Sequence, residues 1–284
     1  MQLLTHRPPR SLRQHIEYFW TFSCPQDGPF DVRLFVDGAS GIVIQHSDGG
    51  YGLSSPHGTT ARAPVAIPKA FVYGPRTQPG HLVARGPLQL TGAAFRPHTL
   101  HALLKIDAAE MSRRGPVHIN DVFNRQLEDH VLNAGAAPER LAVLGQHLTT
   151  YVGDAREDLL ISDSVRLLTA EVRTLRIPEV LTRLEISERQ FERRFKRAVG
   201  LSPHRYLRVL RFRQAVRLMR DHERMLNIAA ELNYADQSHF IKEVKRLSGY
   251  TPTDLVGIVR TSVHLPCALL VPEPLGISAE THGA

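Results

Sequence analysis

Ser187-Glu188-Arg189-Gln190-Phe191-Glu192-Arg193-Arg194-Phe195-Lys196-Arg197 divides into two unlike faces when wound as a helix. At about 100° per residue, Phe195, Ala198 and Val199 fall within roughly 80° of Phe191, while Arg189, Arg193, Lys196 and Arg197 fall between about 140° and 240°. One face is core and the other is cation. Ser187 supplies the hydroxyl that an N-cap uses, and Ile177 to Leu184 reads as a short preceding helix that turns tightly into it. A single charged helix face is ordinarily just solvated, so this stretch alone assigns no partner.

Repetition changes that reading. A shift of 49 residues takes Ser187 to Asp236, Phe191 to Phe240, Arg193 to Lys242, Lys196 to Lys245, Arg197 to Arg246, Gly200 to Gly249 and Pro203 to Pro252. Upstream of each cap the shift is 48, matching Ile177, Val180, Leu181 and Leu184 to Met225, Ile228, Ala229 and Leu232, so the second turn carries one extra residue. Each copy reads as a helix-turn-helix. The formal charge of +7 is concentrated in the same region. Residues 187–246 hold 15 Lys or Arg against 7 Asp or Glu, and the rest of the chain holds 20 against 21. A polyanion-binding module beside a near-neutral one has this distribution, because phosphate neutralisation needs cations only at the contact surface.

The run Ile228-Ala229-Ala230-Glu231-Leu232-Asn233-Tyr234-Ala235-Asp236-Gln237-Ser238-His239-Phe240, with Lys245-Arg246, Gly249 and Thr251-Pro252, resembles the second helix-turn-helix of the AraC/XylS transcription regulators. Gly200-Leu201-Ser202-Pro203, Tyr206-Leu207, Arg211 and Ala215 resemble the segment between that family's two units. Three positions depart from the pattern: Val244 where the family usually has Phe, Leu181 where it often has Ala, and Asn233 where it commonly has Gly. Asn tolerates a left-handed turn conformation. The other two alter packing volume beneath the recognition helices and so bear on docking angle rather than on fold.

The resemblance implies double-stranded operator or promoter DNA as partner, with RNA polymerase as a second partner if the protein activates. By position and by the matching family residues, Arg189 and Arg193 in the first unit and Gln237, Ser238 and Lys242 in the second are base-reading candidates. Lys196, Arg197, Lys245 and Arg246 are assigned to phosphate. Glu192 either accepts from a cytosine amino group or orients Arg189 and Arg193.

The first hundred residues lack helical periodicity and read as short strands at 18–22, 32–36, 41–45, 71–73, 82–84 and 88–95, with a long uncertain loop from Ser47 to Pro68. Many short strands with frequent Gly and Pro predict a β-barrel or jelly roll. Tyr18-Phe19-Trp20, Gly74-Pro75-Arg76-Thr77 and Phe95-Arg96-Pro97 resemble the cupin-like domain that precedes one AraC-type subgroup. A small closed sheet can hold one small ligand, so a small-molecule effector is the expected occupant. Arg76 and Arg96 are candidates to pair with its anionic group, against the alternative of structural contacts.

An enzyme is the competing class: a cupin-type metalloenzyme with a basic helical appendage. No His-x-His pair is present, and His98-Thr99-Leu100-His101 lacks an obvious carboxylate partner, so no metal, cofactor or catalytic residue is assigned. A basic protein-interaction module that never binds DNA is the third reading. Cys24 and Cys267 suggest two unrelated thiols rather than a disulfide or a metal knuckle. No apolar run of ~18 residues and no basic-then-apolar leader occurs, which predicts a cytoplasmic protein without a membrane partner.

The expected architecture is α+β. A cupin-like barrel occupies 1–105 and a helical segment 106–153, in which Leu141, Leu144, Leu148, Tyr151 and Val152 line one face of a helix opened by Pro138. That face either packs on the barrel or forms a homodimer interface. An all-α DNA-binding domain follows over 154–258, with a helix around Leu159 to Val172 and a long helix from Pro203 to about Arg220 joining the two units. Leu207, Leu210, Ala215 and Leu218 of that helix are placed to meet both units, with Arg205, Arg208, Arg213 and Arg217 mostly outward. Residues 259–284 read as an irregular tail, in which the apolar run from Cys267 to Val271 has no assigned partner.

Overall fold

The computed structural model describes residues 2–25, 29–48, 50–54, 65–221, 223–261, 263–265 and 268–271. Ten strands come first: β1 (Gln2–His6), β2 (Ile16–Cys24), β3 (Pro29–Leu34), β4 (Ser40–Gln45), β5 (Gly50–Ser54), β6 (Val65–Ala66), β7 (Ala70–Tyr73), β8 (Gly80–Arg85), β9 (Leu88–Phe95) and, after two helices, β10 (Val117–His118). Those helices are α1 (Thr99–Leu104) and α2 (Ala108–Arg114), and α3 (Gln126–Asn133) and α4 (Ala137–Val152) follow β10. The remaining helices are α5 (Leu159–Ala170), α6 (Ile177–Arg183), α7 (Glu188–Val199), α8 (Pro203–Arg220), α9 (Met225–Glu231), α10 (Gln237–Ser248) and α11 (Pro252–Thr261), before β11 (Val263–Leu265) and β12 (Ala268–Val271).

The strands form two six-stranded antiparallel sheets, ordered β1-β2-β9-β4-β7-β10 and β11-β12-β3-β8-β5-β6. Period-two alternation buries both faces of the first sheet. Trp20, Phe22, Cys24, Val43, Phe71, Tyr73, Leu90 and Ala94 share one core with Leu34 of the second sheet. Phe19, Ile42, Ile44, Val72, Ala93 and Phe95 share another with residues of α1 to α4. Ile16 lies on the same side as Phe19, an odd spacing that the register shift between Ile16 and Tyr18 makes possible. Gly92 is required where Trp20 crosses the sheet, because a Cβ there would stand 2.4 Å from the indole.

Helix α4 buries Leu141, Leu144 and Leu148 in the core beneath the first sheet, with Tyr151 and Val152 packed at its edge. Its apolar face is therefore spent on the barrel side of the choice left open by the sequence. Burial of this kind also shapes titration: His46, hydrogen-bonded to Thr91 Oγ1 at 3.0 Å, has its pKa lowered to about 4 by desolvation first and by the Arg140 charge second.

The carboxyl-terminal stretch corrects the sequence reading. Residues expected to be irregular form β11 and β12, and β12 pairs antiparallel with β3 through Ala268↔Leu34 to Val271↔Asp31. Cys267 and residues 272–284 lie outside the described residues. A strand supplied to the sheet from the far end of the chain is invisible to local pattern, because β12 and its partner β3 are more than two hundred residues apart. Within the uncertain stretch from Ser47 to Pro68, β5 and β6 form a pair, and β1, absent from the expected strands, pairs with β2.

His46 predicts acid sensitivity. Its folded pKa lies below its unfolded value near 6.5, so its contribution is complete above that value and is lost as pH falls toward about 4. Thermal unfolding of the full chain should show a midpoint that falls across this window, and His46→Gln should make the fall shallower. An identical slope in wild type and variant would show that His46 ionisation does not contribute.

Candidate nucleic-acid interface

Two short helices and two recognition helices stand on one hydrophobic core. Ile177 and Val180 of α6, Phe191, Phe195, Ala198 and Val199 of α7, Ile228 and Ala229 of α9, and Phe240, Val244 and Leu247 of α10 all belong to it. The connector α8 contributes Tyr206, Leu207, Val209, Leu210, Phe212, Ala215 and Met219. Aromatic contacts tie each recognition helix in. Phe195 lies 5.5 Å from Tyr206, and Phe240 lies 5.1 Å from Tyr234 in an edge-to-face arrangement. Val244 and Leu181, the two departures in volume, both touch this core, Val244 fully buried and Leu181 at its margin.

The turns repeat as closely as the helices. The N–H of Ile186 donates to Leu181 O at 3.3 Å, and the N–H of Tyr234 donates to Ala229 O at 3.1 Å, 48 residues later in both donor and acceptor. Both turns use a left-handed residue at equivalent places, Glu185 with φ 50° and Asn233 with φ 56°. Asn233 thus adopts the conformation that its chemistry tolerates, while Glu185 adopts it with a full side chain. The N-caps differ. Asp236 accepts from the His239 N–H at 2.7 Å, whereas Ser187 occupies the cap position of α7 without a side-chain bond, a correction to the expected role of its hydroxyl. Gly200 and Gly249 end α7 and α10 at φ 85° and 84°, the left-handed terminus that favours glycine.

Every base-reading and phosphate candidate lies on an exposed position. Arg189, Glu192, Arg193, Lys196 and Arg197 line the outer face of α7, and Gln237, Ser238, Lys242, Lys245 and Arg246 that of α10. Among the described residues, Arg189, Arg193, Lys196, Arg197, Lys242 and Lys245 form no ion pair, and Glu192 pairs with neither neighbouring Arg. Arg246 differs, since its Nη2 lies 3.0 Å from Oε2 of the buried Glu243. Arg194, which the sequence does not separate from its neighbours, is structural: its Nε and Nη2 reach Oδ2 and Oδ1 of Asp158 at 2.9 and 2.6 Å. Asp158 also accepts from the Ile161 N–H at 3.4 Å and so caps α5. An acidic cap one residue ahead of Leu159 was the available signal.

The barrel touches both units. Phe35 and Val36, between β3 and β4, are buried in the core of the helical head. Phe35 meets Phe212 edge-to-face at 5.9 Å, and the Val36 N–H donates to Leu247 O at 3.0 Å. The β7–β8 loop reaches both recognition-helix ends: a Cβ at Gly200 would stand 2.6 Å from Pro75 Cγ, and one at Gly249 would stand 3.9 Å from Pro79 Cγ. Arg205, expected outward, donates from Nη2 to the Thr77 carbonyl in the same loop.

Arg76 and Arg96 are placed apart from each other in kind. Half-buried Arg76 lies in the β7–β8 loop, where its charge and that of Arg213 oppose the burial that pushes the Asp37 pKa up. Exposed Arg96 follows β9 and donates from Nε to the Arg13 carbonyl at 2.8 Å. His98 Nε2 lies 3.3 Å from Glu157 Oε1, a carboxylate that the sequence did not place beside it, and burial pushes its pKa down. No group of three His, Cys, Asp or Glu among the described residues is arranged to hold a metal ion. No described helix is long and apolar enough to cross a membrane.

Two helix-turn-helix units on a common core, each with an exposed cationic second helix, define a double helix-turn-helix architecture. Residues 180–257 match the family model described as a helix-turn-helix domain, and residues 4–115 match a domain of unknown function, DUF6597. The HTH-type transcriptional activators RhaS of Yersinia pestis and of Yersinia pseudotuberculosis are each 30% identical to this chain over 131 residues, 46% of this chain and 48% of theirs. The chain therefore spans about half the length of the curated relatives it matches. Among solved structures, ToxT from Vibrio cholerae O395 aligns with a TM-score of 0.47 at 12% identity, covering 86% of this chain and 99% of that one. An AraC-type regulator from Chromobacterium violaceum aligns with a TM-score of 0.34 at 22% identity, covering 36% of this chain and 92% of that one. The chain thus carries a helix-turn-helix domain over residues 180–257 and is similar, over part of its length, to HTH-type transcriptional activators.

The repeated turn makes a direct prediction about stability. Glu185→Asn gives the first unit the residue that the second already uses at this position and should raise stability by about 0.5–1 kcal/mol, since Asn pays less for the left-handed region. Chemical denaturation of the full chain measures it. No gain, or a loss, would mean that the Glu185 side chain offsets its own backbone cost.

Proposed function

We propose that the chain reads operator DNA with both units at once, α7 and α10 entering successive major-groove segments. The observation that carries this reading is the recurrence of an exposed cationic face at equivalent positions of two units that share one core. A solvated structural helix has no need to repeat its charge pattern with its fold. Arg189, Arg193, Gln237, Ser238 and Lys242 read base edges, and Lys196, Arg197 and Lys245 neutralise phosphates. Arg246 joins the phosphate set with its charge partly answered by Glu243. The α8 connector is 18 residues long, hence about 27 Å, and the width of the flanking helices brings the two reading faces near the roughly 34 Å between groove segments on one side of a duplex.

The reading head comprises residues 154–258. The sensor comprises the two sheets with α1 to α4, including the returning strands β11 and β12. A small-molecule effector of the barrel governs how firmly the head engages DNA, and an anion at Arg76 would act close to the head, beside Thr77 and its contact with Arg205. RNA polymerase is the further partner if the chain activates. A homodimer would have to use a surface other than the face of α4 that packs beneath the sheet.

Two substitutions test the assignment of roles. Against duplexes selected from random DNA, Arg193→Ala should lose about 1–3 kcal/mol and relax preference at particular base pairs. Lys245→Ala should weaken selected and random duplexes alike and reduce the salt dependence of binding. Equal losses for Arg193→Ala on both kinds of duplex would remove it from the base-reading set.

A further inference from the structure

The two units are not chemically equivalent within their reading faces. The 49-residue shift that superposes Phe191 on Phe240 also superposes Glu192 on Ile241. Glu192 is exposed, and Ile241 keeps 39% of its surface, one of few large apolar side chains so exposed among the described residues. On α10, Ile241 lies about 40° from Gln237, with Lys245 at about 80°, Ser238 at about 100° and Lys242 at about 140° on the same side. The buried residues Leu247, Phe240 and Val244 fall at about 280°, 300° and 340°, and buried Ser248 at about 20°, so the core adjoins the Gln237 end of this arc. Ile241 borders the core and yet lies between Gln237 and Lys245, within the arc of polar and cationic residues assigned to DNA.

We propose that Ile241 is a specificity-determining residue that reads the C5-methyl group of a thymine in the half-site of the second unit, while Glu192 at the equivalent place of the first unit reads a hydrogen-bond donor. This inference rests on the double-unit DNA reading above and assigns each half-site a different chemistry. The major groove presents one apolar group, the thymine methyl, and an exposed aliphatic side chain on a recognition helix can gain by covering it. A carboxylate at the same place would meet the acceptor O4 of that thymine unfavourably and instead suits the amino donor of cytosine. The substitution of Ile for an acid between the copies thus removes a like-charge cost near phosphate and replaces polar discrimination with apolar contact. The Asp236 cap and the edge-to-face packing of Tyr234 on Phe240 hold this turn of α10 in place, so the methyl contact needs no rearrangement of the helix.

The test uses the full-length chain and duplexes selected by it from random DNA. Each thymine of the second half-site is replaced in turn by deoxyuridine, which lacks only the methyl group. Wild type should lose about threefold to fivefold in affinity at one position, the value of one methyl group withdrawn from water. Ile241→Ala should bind the thymine duplex more weakly by a similar factor and become indifferent to deoxyuridine at that position. Because Ile241 is exposed, the variant should keep the wild-type unfolding midpoint, and Ile241→Val should retain part of the discrimination. If Ile241→Ala discriminates thymine from deoxyuridine as wild type does, or if no thymine in the half-site is sensitive, the assignment is overturned while DNA reading by the head stands. If wild type prefers no selected duplex over random DNA, the DNA reading itself fails and this inference fails with it.

Discussion

Neither helix-turn-helix unit can bury its own apolar face, and the shared core that α8 makes between them is what positions both recognition helices. A two-helix unit of about twenty residues exposes as much apolar surface as it covers. Here Phe191 and Phe195 from one copy and Phe240 and Val244 from the other share one core with Tyr206, Leu210 and Ala215 of a single helix. The orientation of one cationic face relative to the other is consequently a property of core packing. Burial also acts on Tyr206, whose pKa it pushes up to about 12, keeping the phenol neutral at the heart of the head.

The same core is completed by the barrel. Phe35 and Val36 are inserted into it from the β3–β4 connection, and Gly38, with φ 71°, turns the chain away where a Cβ would stand 3.3 Å from Val209 Cγ1. Pro75, Thr77 and Pro79 of the β7–β8 loop then meet the end of α7, the start of α8 and the end of α10 in turn. A change in the sheets that moves either connection would be felt at both recognition helices, because packed cores transmit displacement rather than absorb it. The Asp37 carboxyl, with Arg213 and Arg76 acting on it, places charge at this same junction.

The internal repeat preserves backbone solutions more strictly than side-chain ones. Left-handed residues at 185 and 233, glycine helix ends at 200 and 249 and the paired turn hydrogen bonds recur because each satisfies groups that a helix end leaves open. Side chains that face outward have diverged. Glu192 against Ile241 and Arg193 against Lys242 differ where a duplex would distinguish them, and Arg194, tied to Asp158, has as its counterpart Glu243, which is buried and meets Arg208 and Arg246.

Amphipathic period and repetition were sufficient for the helical head. Phe191, Phe195 and Phe240 had to be buried and Arg189, Arg193 and Lys242 exposed, because a 3.6-residue period leaves those side chains no other arrangement. The strands at 18–22, 41–45, 71–73 and 88–95 were legible for a similar reason, their alternation being that of a sheet covered on both faces. Long-range pairing was not. The return of 268–271 to the edge of β3, the entry of Phe35 and Val36 into the head, and the use of Arg205 and Arg194 as struts rather than surface cations all depend on partners remote in the chain. Local pattern records whether a side chain has an apolar or a polar neighbourhood, and only the folded arrangement decides which neighbour supplies it.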